Sequence, residues 1–171
     1  NGSATLNGGT FDKSVTVSGE GSAFLHGGNF NQSLNVSGGL LEADGVALNL
    51  ANGIEAWGGE INLVDLKKLR GEISLYEDSA FRIYNAVDDI NISLKLYDNA
   101  SAYLEGEYWF KDGTNVSGQI FSLPGSGVLS DNNGRTISYE IFGNASIYVG
   151  QIPEPAAACF ICVAGLGFLI A

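Results

Sequence analysis

Cysteine and histidine are nearly absent from this 171-residue chain. Residues 1–155 contain no cysteine, so this body has no disulfide and exposes no thiol in an oxidising compartment. His26 is the single histidine, and its place beside a Gly-Gly pair indicates a turn position. Neither a Ser-His-Asp triad nor a zinc cluster can be assembled, and we expect a protein that is not an enzyme and carries no cofactor.

Positive charge is also scarce, since 8 Lys and Arg residues stand against 19 Asp and Glu residues and give a formal net charge of −11. Binding to nucleic-acid phosphates requires a basic patch. The one basic cluster, Lys67, Lys68 and Arg70, is too small to provide it, so no nucleic-acid partner is expected. The acidic excess favours solubility and leaves binding of a cation such as Ca²⁺ open.

Helical signals are missing from the body, which has neither apolar stripes of period 3.6 nor helix caps. It has an internal repeat instead. Residues 2–20 (GSATLNGGTFDKSVTVSGE) and residues 21–39 (GSAFLHGGNFNQSLNVSGG) are identical at 11 of 19 positions. A period of this length is typical of proteins built from stacked structural repeats.

Within each repeat, apolar and polar residues alternate, as in Ala4 and Leu6, which is the pattern of short half-buried strands. Glycine pairs separate these runs and supply the positive φ angles of tight corners. We therefore predict an all-β fold, a right-handed parallel β-helix with about 20 residues per coil over residues 1–122. A β-sandwich would explain the strands but not the repeat. The residues expected to stack in register are Leu6/Leu25, Phe11/Phe30 and Val17/Val36.

The remaining sequence differs from the repeats. Turn residues at 131–134 and 143–145 separate three apolar runs, which predicts an antiparallel β cap or meander over residues 123–151. Such a cap would close one end of the solenoid, where an open edge invites strand addition. Residues 152–171 are then a linker followed by a hydrophobic C-terminal helix.

Residues 156–171 (AAACFICVAGLGFLIA) have no charged, amide or hydroxyl side chain. A helix of this length rises roughly 24 Å, against a bilayer hydrocarbon core of roughly 30 Å. The length permits a membrane helix at some stage, a buried apolar helix or a packing segment between copies. In these apolar surroundings Cys159 and Cys162 indicate packing residues, with a disulfide between neighbouring tails as the alternative. The residues expected to anchor the chain or hold an assembly are Ala156, Phe160, Ile161, Val163, Leu166, Phe168, Leu169 and Ile170.

Pro153, Glu154 and Pro155 stand directly before this apolar segment. The order resembles the C-terminal sorting signal of the PEP-CTERM family of bacterial envelope and secreted proteins, in which a Pro-Glu-Pro motif precedes a membrane helix. The resemblance implies processing by an exosortase and an exported protein at the cell surface or in the extracellular space. The Arg-rich end of the family signal has no counterpart within residues 156–171. Asn1-Gly2-Ser3 is interpreted as a mature N-terminus.

Two groups of side chains are candidates for binding or catalysis. Glu105 and Glu107 share a face if they lie in a strand, where they suit Ca²⁺ binding or acid–base chemistry, although an exposed polar edge explains them as well. Aromatic residues cluster in the second half of the body and suit sugar stacking or contact with another protein, with filling of the core as the alternative. The other acids considered are Glu77, Asp78, Asp88 and Asp89, and the aromatic residues are Trp57, Tyr97, Tyr103, Tyr108, Trp109 and Phe110.

These features together predict an exported structural protein of the bacterial cell surface or biofilm matrix. We expect it to be a homo-oligomer or homopolymer, with filaments formed through the hydrophobic tail and the β edges, and to meet a membrane at some stage. One alternative is a carbohydrate-binding adhesin, which should show exposed coplanar aromatic rings. The other is a polysaccharide-active β-helix enzyme, which should show carboxylates that line a groove.

Overall fold

The structure is a computed structural model that describes residues 2–85 and 89–150. Within these ranges every regular element is a β-strand, and no helix there is long and apolar enough to cross a bilayer. The strands of the first three coils are β1 (Ser3–Asn7), β2 (Thr10–Phe11), β3 (Val15–Ser18), β4 (Ser22–His26), β5 (Asn29–Phe30), β6 (Leu34–Ser37), β7 (Leu40–Asp44), β8 (Ala47–Asn49) and β9 (Ile54–Trp57). Those that follow are β10 (Glu60–Val64), β11 (Lys68–Tyr76), β12 (Ala80–Tyr84), β13 (Ile90–Leu96), β14 (Ser101–Leu104), β15 (Trp109–Phe110), β16 (Ile120–Phe121), β17 (Gly125–Ser130), β18 (Thr136–Ile141) and β19 (Ser146–Val149).

Parallel pairing between successive repeats builds a β-solenoid. One face is a single sheet in the order β1-β4-β7-β10-β12-β14-β19-β16, so each strand lies beside its equivalent from the next coil. The first residues of these strands, from Ser3 to Ser101, follow one another at intervals of 18 to 21 residues. The predicted solenoid of about 20 residues per coil is confirmed, with about five regular coils, and the sandwich alternative is wrong.

The second face begins as two ribbons and ends as one sheet. Strands β2, β5 and β8 form one ribbon, and β3, β6 and β9 form the other. The long strand β11 pairs with both β8 and β9 and so joins the ribbons. Gly71, in the middle of β11 at φ 131°, lies close to Leu50 at the corner of the coil below and lets the longer strand pass it.

The core consists of ladders of inward-facing apolar side chains. Leu6 pairs with Leu25, Phe11 with Phe30 and Val17 with Val36, as predicted from the repeat. The rings of Phe11 and Phe30 stack with centroids 4.6 Å apart. Because equivalent residues lie one strand spacing apart, each coil covers the apolar side chains of the coil below. Further up, the ladder that contains Leu25 continues through Ala43, Leu63, Ile83, Leu104 and Val149.

The C-terminal part of the solenoid corrects the predicted boundary at residue 122. Strand β18 pairs in parallel with β13, and β19 pairs in parallel with β14, so both continue the solenoid. The antiparallel strands are β15, β16 and β17, which belong to an insertion (residues 105–135) between β14 and β18. Turn residues at 131–134 and 143–145 suit a hairpin and a solenoid corner equally, so the sequence pattern did not separate the two. The tail predicted over residues 152–171 lies outside the described residues.

Candidate functional site

Four aromatic rings form a continuous stack on the outside of the second face. Trp57, Tyr76, Tyr97 and Phe142 occupy equivalent positions in successive coils, where β9, β11, β13 and β18 end. Their centroids are 4.0, 4.7 and 4.7 Å apart, and the ring planes differ by at most 8°. Parallel strands repeat at about 4.8 Å, which is close to a ring-stacking distance, so the register itself builds this aromatic ladder.

The two ends of the aromatic ladder are the exposed parts. Trp57 and Phe142 are 43% and 41% exposed, whereas Tyr76 and Tyr97 are half-buried between neighbouring rings. Below Trp57, the same positions are occupied by Ser37 and then Ser18, both exposed. The face of the Trp57 indole that does not contact Tyr76 is therefore directed over two small side chains, which we call the serine step.

The surface beside the aromatic ladder is polar and acidic. Glu55 lies two residues before Trp57 in β9, so both side chains project from the same outer face. The Glu77 carboxylate lies close to Gly58, the residue after Trp57. A shallow cavity of about 190 Å³ continues this surface and includes Glu72 and Ser74 in its lining.

Among the acids of this surface, Glu72 forms an ion pair with a lysine. Its carboxylate accepts a hydrogen bond from Lys95 Nζ at 2.7 Å, and this bond raises the pKa of the Lys95 ammonium. Glu55 and Glu77 make no such ion pair within the described part of the chain. The neighbourhood of Trp57 is therefore negatively charged.

The carboxylate pair predicted as a site is not arranged as a strand pair. Strand β14 ends at Leu104, so Glu105 and Glu107 do not share a strand face as expected. Glu105 Oε2 accepts a hydrogen bond from the Asn85 backbone amide at 2.6 Å and so supports a corner of the coil below. Glu107 is exposed at the start of the insertion, and both residues line a cavity of about 550 Å³. Among the described residues no three His, Cys, Asp or Glu side chains converge as a metal site.

Of the other candidate acids, Asp78 and Asp89 have side-chain partners in the next coil or the coil below. Asp89 accepts hydrogen bonds from Arg70, with an ion-pair distance of 2.9 Å, and lies 3.9 Å from Lys68, so two residues of the basic cluster are engaged with this acid. Asp78 accepts a hydrogen bond from Asn99 at 3.1 Å. The contacts of Asp78 and Asp89 tie successive coils together. Asp88 lies outside the described residues.

His26 ends β4, directly before a corner with positive φ at Gly27 and Gly28. Its Nδ1 atom is 3.9 Å from an Asp44 carboxylate oxygen, and both side chains are about half exposed. The residue therefore sits at a solvated strand end beside a corner.

The other predicted aromatic residues do not join the aromatic ladder. Tyr103 lies on the first face, where the Arg82 guanidinium is 5.2 Å from its ring centroid. Tyr108 is fully buried in the insertion, and burial raises the pKa of its hydroxyl to about 12. Trp109 and Phe110 are half-buried beside it.

Sequence reasoning included Trp57 and Tyr97 but missed Tyr76 and Phe142. The signal for Tyr76 was present, because Leu75-Tyr76-Glu77-Asp78 recurs as Leu96-Tyr97-Asp98-Asn99 one coil later. Phe142 gives no such signal, since the insertion separates it from its neighbour Tyr97 by 45 residues.

In comparisons with known proteins, no family model, no curated protein and no solved structure matches this chain. The resemblance of residues 153–155 to a PEP-CTERM signal stays a prediction, and those residues and the predicted anchor lie outside the described ranges.

Proposed function

We propose that this chain is an exported, non-catalytic structural protein of the bacterial cell surface or extracellular matrix that associates with copies of itself. The observation that carries the proposal is the edge of the first coil, which has the geometry of a strand-pairing surface. In this proposal the coils turn in the right-handed sense of nearly all parallel β crossovers. The antiparallel insertion closes the C-terminal end of the stack.

The first coil leaves core-facing side chains uncovered. The outer edges of β1, β2 and β3 have no strand partner among the described residues. Ala4 is exposed and Leu6 and Val15 are half-buried, whereas the equivalent residues of the next coil, Ala23, Leu25 and Leu34, are buried. A cavity of about 340 Å³ opens at this end and is lined by residues of β1, β3 and the start of β4. Unpaired strand edges above an apolar core are the surface on which another strand adds.

The opposite end is built differently. Its last strands are β15 and β16, each two residues long and antiparallel to its neighbour. Short edge strands discourage further pairing. The second association surface in the proposal is therefore the apolar segment 156–171. In water this segment must be inserted in lipid, packed against other subunits or removed by cleavage.

The test uses the direction of the backbone amides in the first coil. Ser22 N donates to Gly2 O and Gly8 N donates to His26 O, so even-numbered residues of β1 face β4 and the Thr5 amide faces the open edge. Val15 N donates to Ser33 O, so the Thr16 amide faces the open edge of β3. Proline at both positions removes edge donors without removing a bond to the second coil.

Electron microscopy of the intact chain should show assemblies, and Thr5→Pro/Thr16→Pro should shorten or abolish them. Thr5→Ala/Thr16→Ala is the matched control and should assemble normally. Deletion of residues 156–171 should release monomers. Unchanged assembly by the double proline variant, with the fold retained by circular dichroism, would remove the edge from the proposal. Normal assembly without residues 156–171 would make the tail a disposable sorting segment.

A second candidate function is carbohydrate binding, and the aromatic ladder favours it. Exposed coplanar rings were the feature expected of an adhesin, and Trp57 and Phe142 end such a stack. A surface protein with this property would adhere to glycans of a matrix. For a polysaccharide-active enzyme the corresponding feature is a set of convergent carboxylates, and Glu105 instead holds the Asn85 corner.

A further inference from the structure

We propose that the free face of Trp57 and the serine step form a binding site for one pyranose ring of a glycan that carries no negative charge. The proposal rests on the carbohydrate-binding function above and assigns its location and its ligand class.

The aromatic ladder lacks a ring where the site lies. Trp57 already stacks on Tyr76 at 4.0 Å, yet 43% of its surface is exposed, because the next position along the ladder is Ser37. Ser37 and Ser18 leave a step two strands wide, which is about 9.6 Å. A pyranose ring stacked on an indole face fits within one strand spacing and would take the place of the missing ring. The apolar C–H face of the sugar would then cover the indole.

The step also offers polar groups to sugar hydroxyls. Ser37 and Ser18 are exposed residues with hydroxyl side chains, and they form the floor of the step. Asn35 and Glu55 pair across β6 and β9, two residues before Ser37 and Trp57, so their side chains border the same surface. An aromatic face flanked by hydroxyl, amide and carboxylate groups is the common composition of a sugar-binding surface.

Charge determines the class of glycan. Glu55 and Glu77 lie on either side of Trp57, and the chain carries a net charge of −11. A polyanionic glycan would be repelled, whereas the ammonium of an amino sugar would be attracted by the carboxylates and the indole face together. We therefore expect amino sugars to bind most tightly, neutral sugars less tightly and uronic acids not at all.

Three hexasaccharides serve as probes: hexaglucosamine, its fully N-acetylated form and hexagalacturonate. Isothermal titration calorimetry should give affinities in that order, with no binding of hexagalacturonate. In a Trp109→Phe background Trp57 is the single tryptophan, and its emission should change with saturation. Binding of hexagalacturonate equal to that of the other two, or binding of none of them, would overturn the proposal.

The decisive variant fills the step. Ser37→Leu should cover the free face of the Trp57 indole with a side chain that offers no ring, keep the fold and weaken hexaglucosamine binding by at least about tenfold. Trp57→Ala should weaken it as much, whereas Phe142→Ala, which removes the ring at the other end of the aromatic ladder, should leave it within about twofold. Unchanged binding by Ser37→Leu would refute the site. If Phe142→Ala abolished sugar binding and Trp57→Ala did not, the sugar site would lie at the Phe142 end of the aromatic ladder.

These outcomes are separable from those of the assembly proposal. Ser37→Leu leaves the open edge of the first coil intact, so its self-association should be unchanged. Thr5→Pro alone, in a strand of the first face and away from the serine step, should weaken assembly and keep its affinity for hexaglucosamine.

Discussion

Phe30 and Phe24 give a matched test of the inside and outside of the solenoid. They belong to the same repeat, but Phe30 is 1% exposed and stacks on Phe11 at 4.6 Å, whereas Phe24 is half-buried and projects outward from β4. Phe30→Ala leaves a cavity between Phe11 and Leu48 and should lower the free energy of unfolding by about 3–5 kcal/mol. Phe24→Ala removes a ring from the surface and should cost about 1 kcal/mol or less.

Thermal unfolding followed by circular dichroism measures the difference. For a chain of this size each kcal/mol lowers the melting temperature by about 2–4 °C, so Phe30→Ala should lower it by roughly 6–20 °C. Stacked repeats can unfold from one end, so the first coils of Phe30→Ala could unfold in a separate transition at lower temperature. That result would also agree with the predicted loss of stability. Equal losses for the two variants, or a larger loss for Phe24→Ala, would refute the assignment of the repeat's inner and outer faces.

Two further predictions concern a corner and the buried tyrosine. At Gly53 (φ 72°) an added methyl group would collide with the Glu72 carbonyl oxygen, whereas at Gly45 (φ 61°) it meets nothing within 4 Å. Gly53→Ala should therefore lower the free energy of unfolding in urea by at least about 1 kcal/mol more than Gly45→Ala does. Equal losses would contradict the corner geometry. Burial raises the pKa of Tyr108 to about 12 from 10.0, so the unfolded chain loses this proton first, and stability should fall as the pH rises from about 10 to about 12. Tyr108→Phe should reduce that fall and cost little at neutral pH, because the buried hydroxyl has no hydrogen-bond partner among residues 2–85 and 89–150; an unchanged fall would show that the group titrates normally.

The repeat made the solenoid predictable. Identity at 11 of 19 positions fixes the spacing of equivalent residues, and parallel stacking then places Phe11 against Phe30 and Val17 against Val36. The positions of most corners could also be predicted, because glycine occupies most of the positive-φ positions among the described residues. Glu77 and Asp98 adopt positive φ at the corners that follow Tyr76 and Tyr97, so there the repeat spacing is informative and the residue type is not.

The insertion and the aromatic ladder were harder to predict. The insertion lies between β14 and β18, and nothing in residues 105–135 marks the point where the chain returns to the solenoid. Phe142 stacks on Tyr97 because β18 pairs with β13 across that insertion, a contact without a local sequence signal. The free face of Trp57 depends on the small size of Ser37, so it becomes visible only when the register is known.

The mass of the intact chain in solution tests self-association most directly. Sedimentation velocity would be measured over about a hundredfold range of concentration in buffer without detergent, so that residues 156–171 and the edge of the first coil are both available for association. We expect a protein mass above the 17.9 kDa of one chain, which rises with concentration and is lowered by Thr5→Pro/Thr16→Pro. A protein mass of 17.9 kDa at every concentration would contradict it.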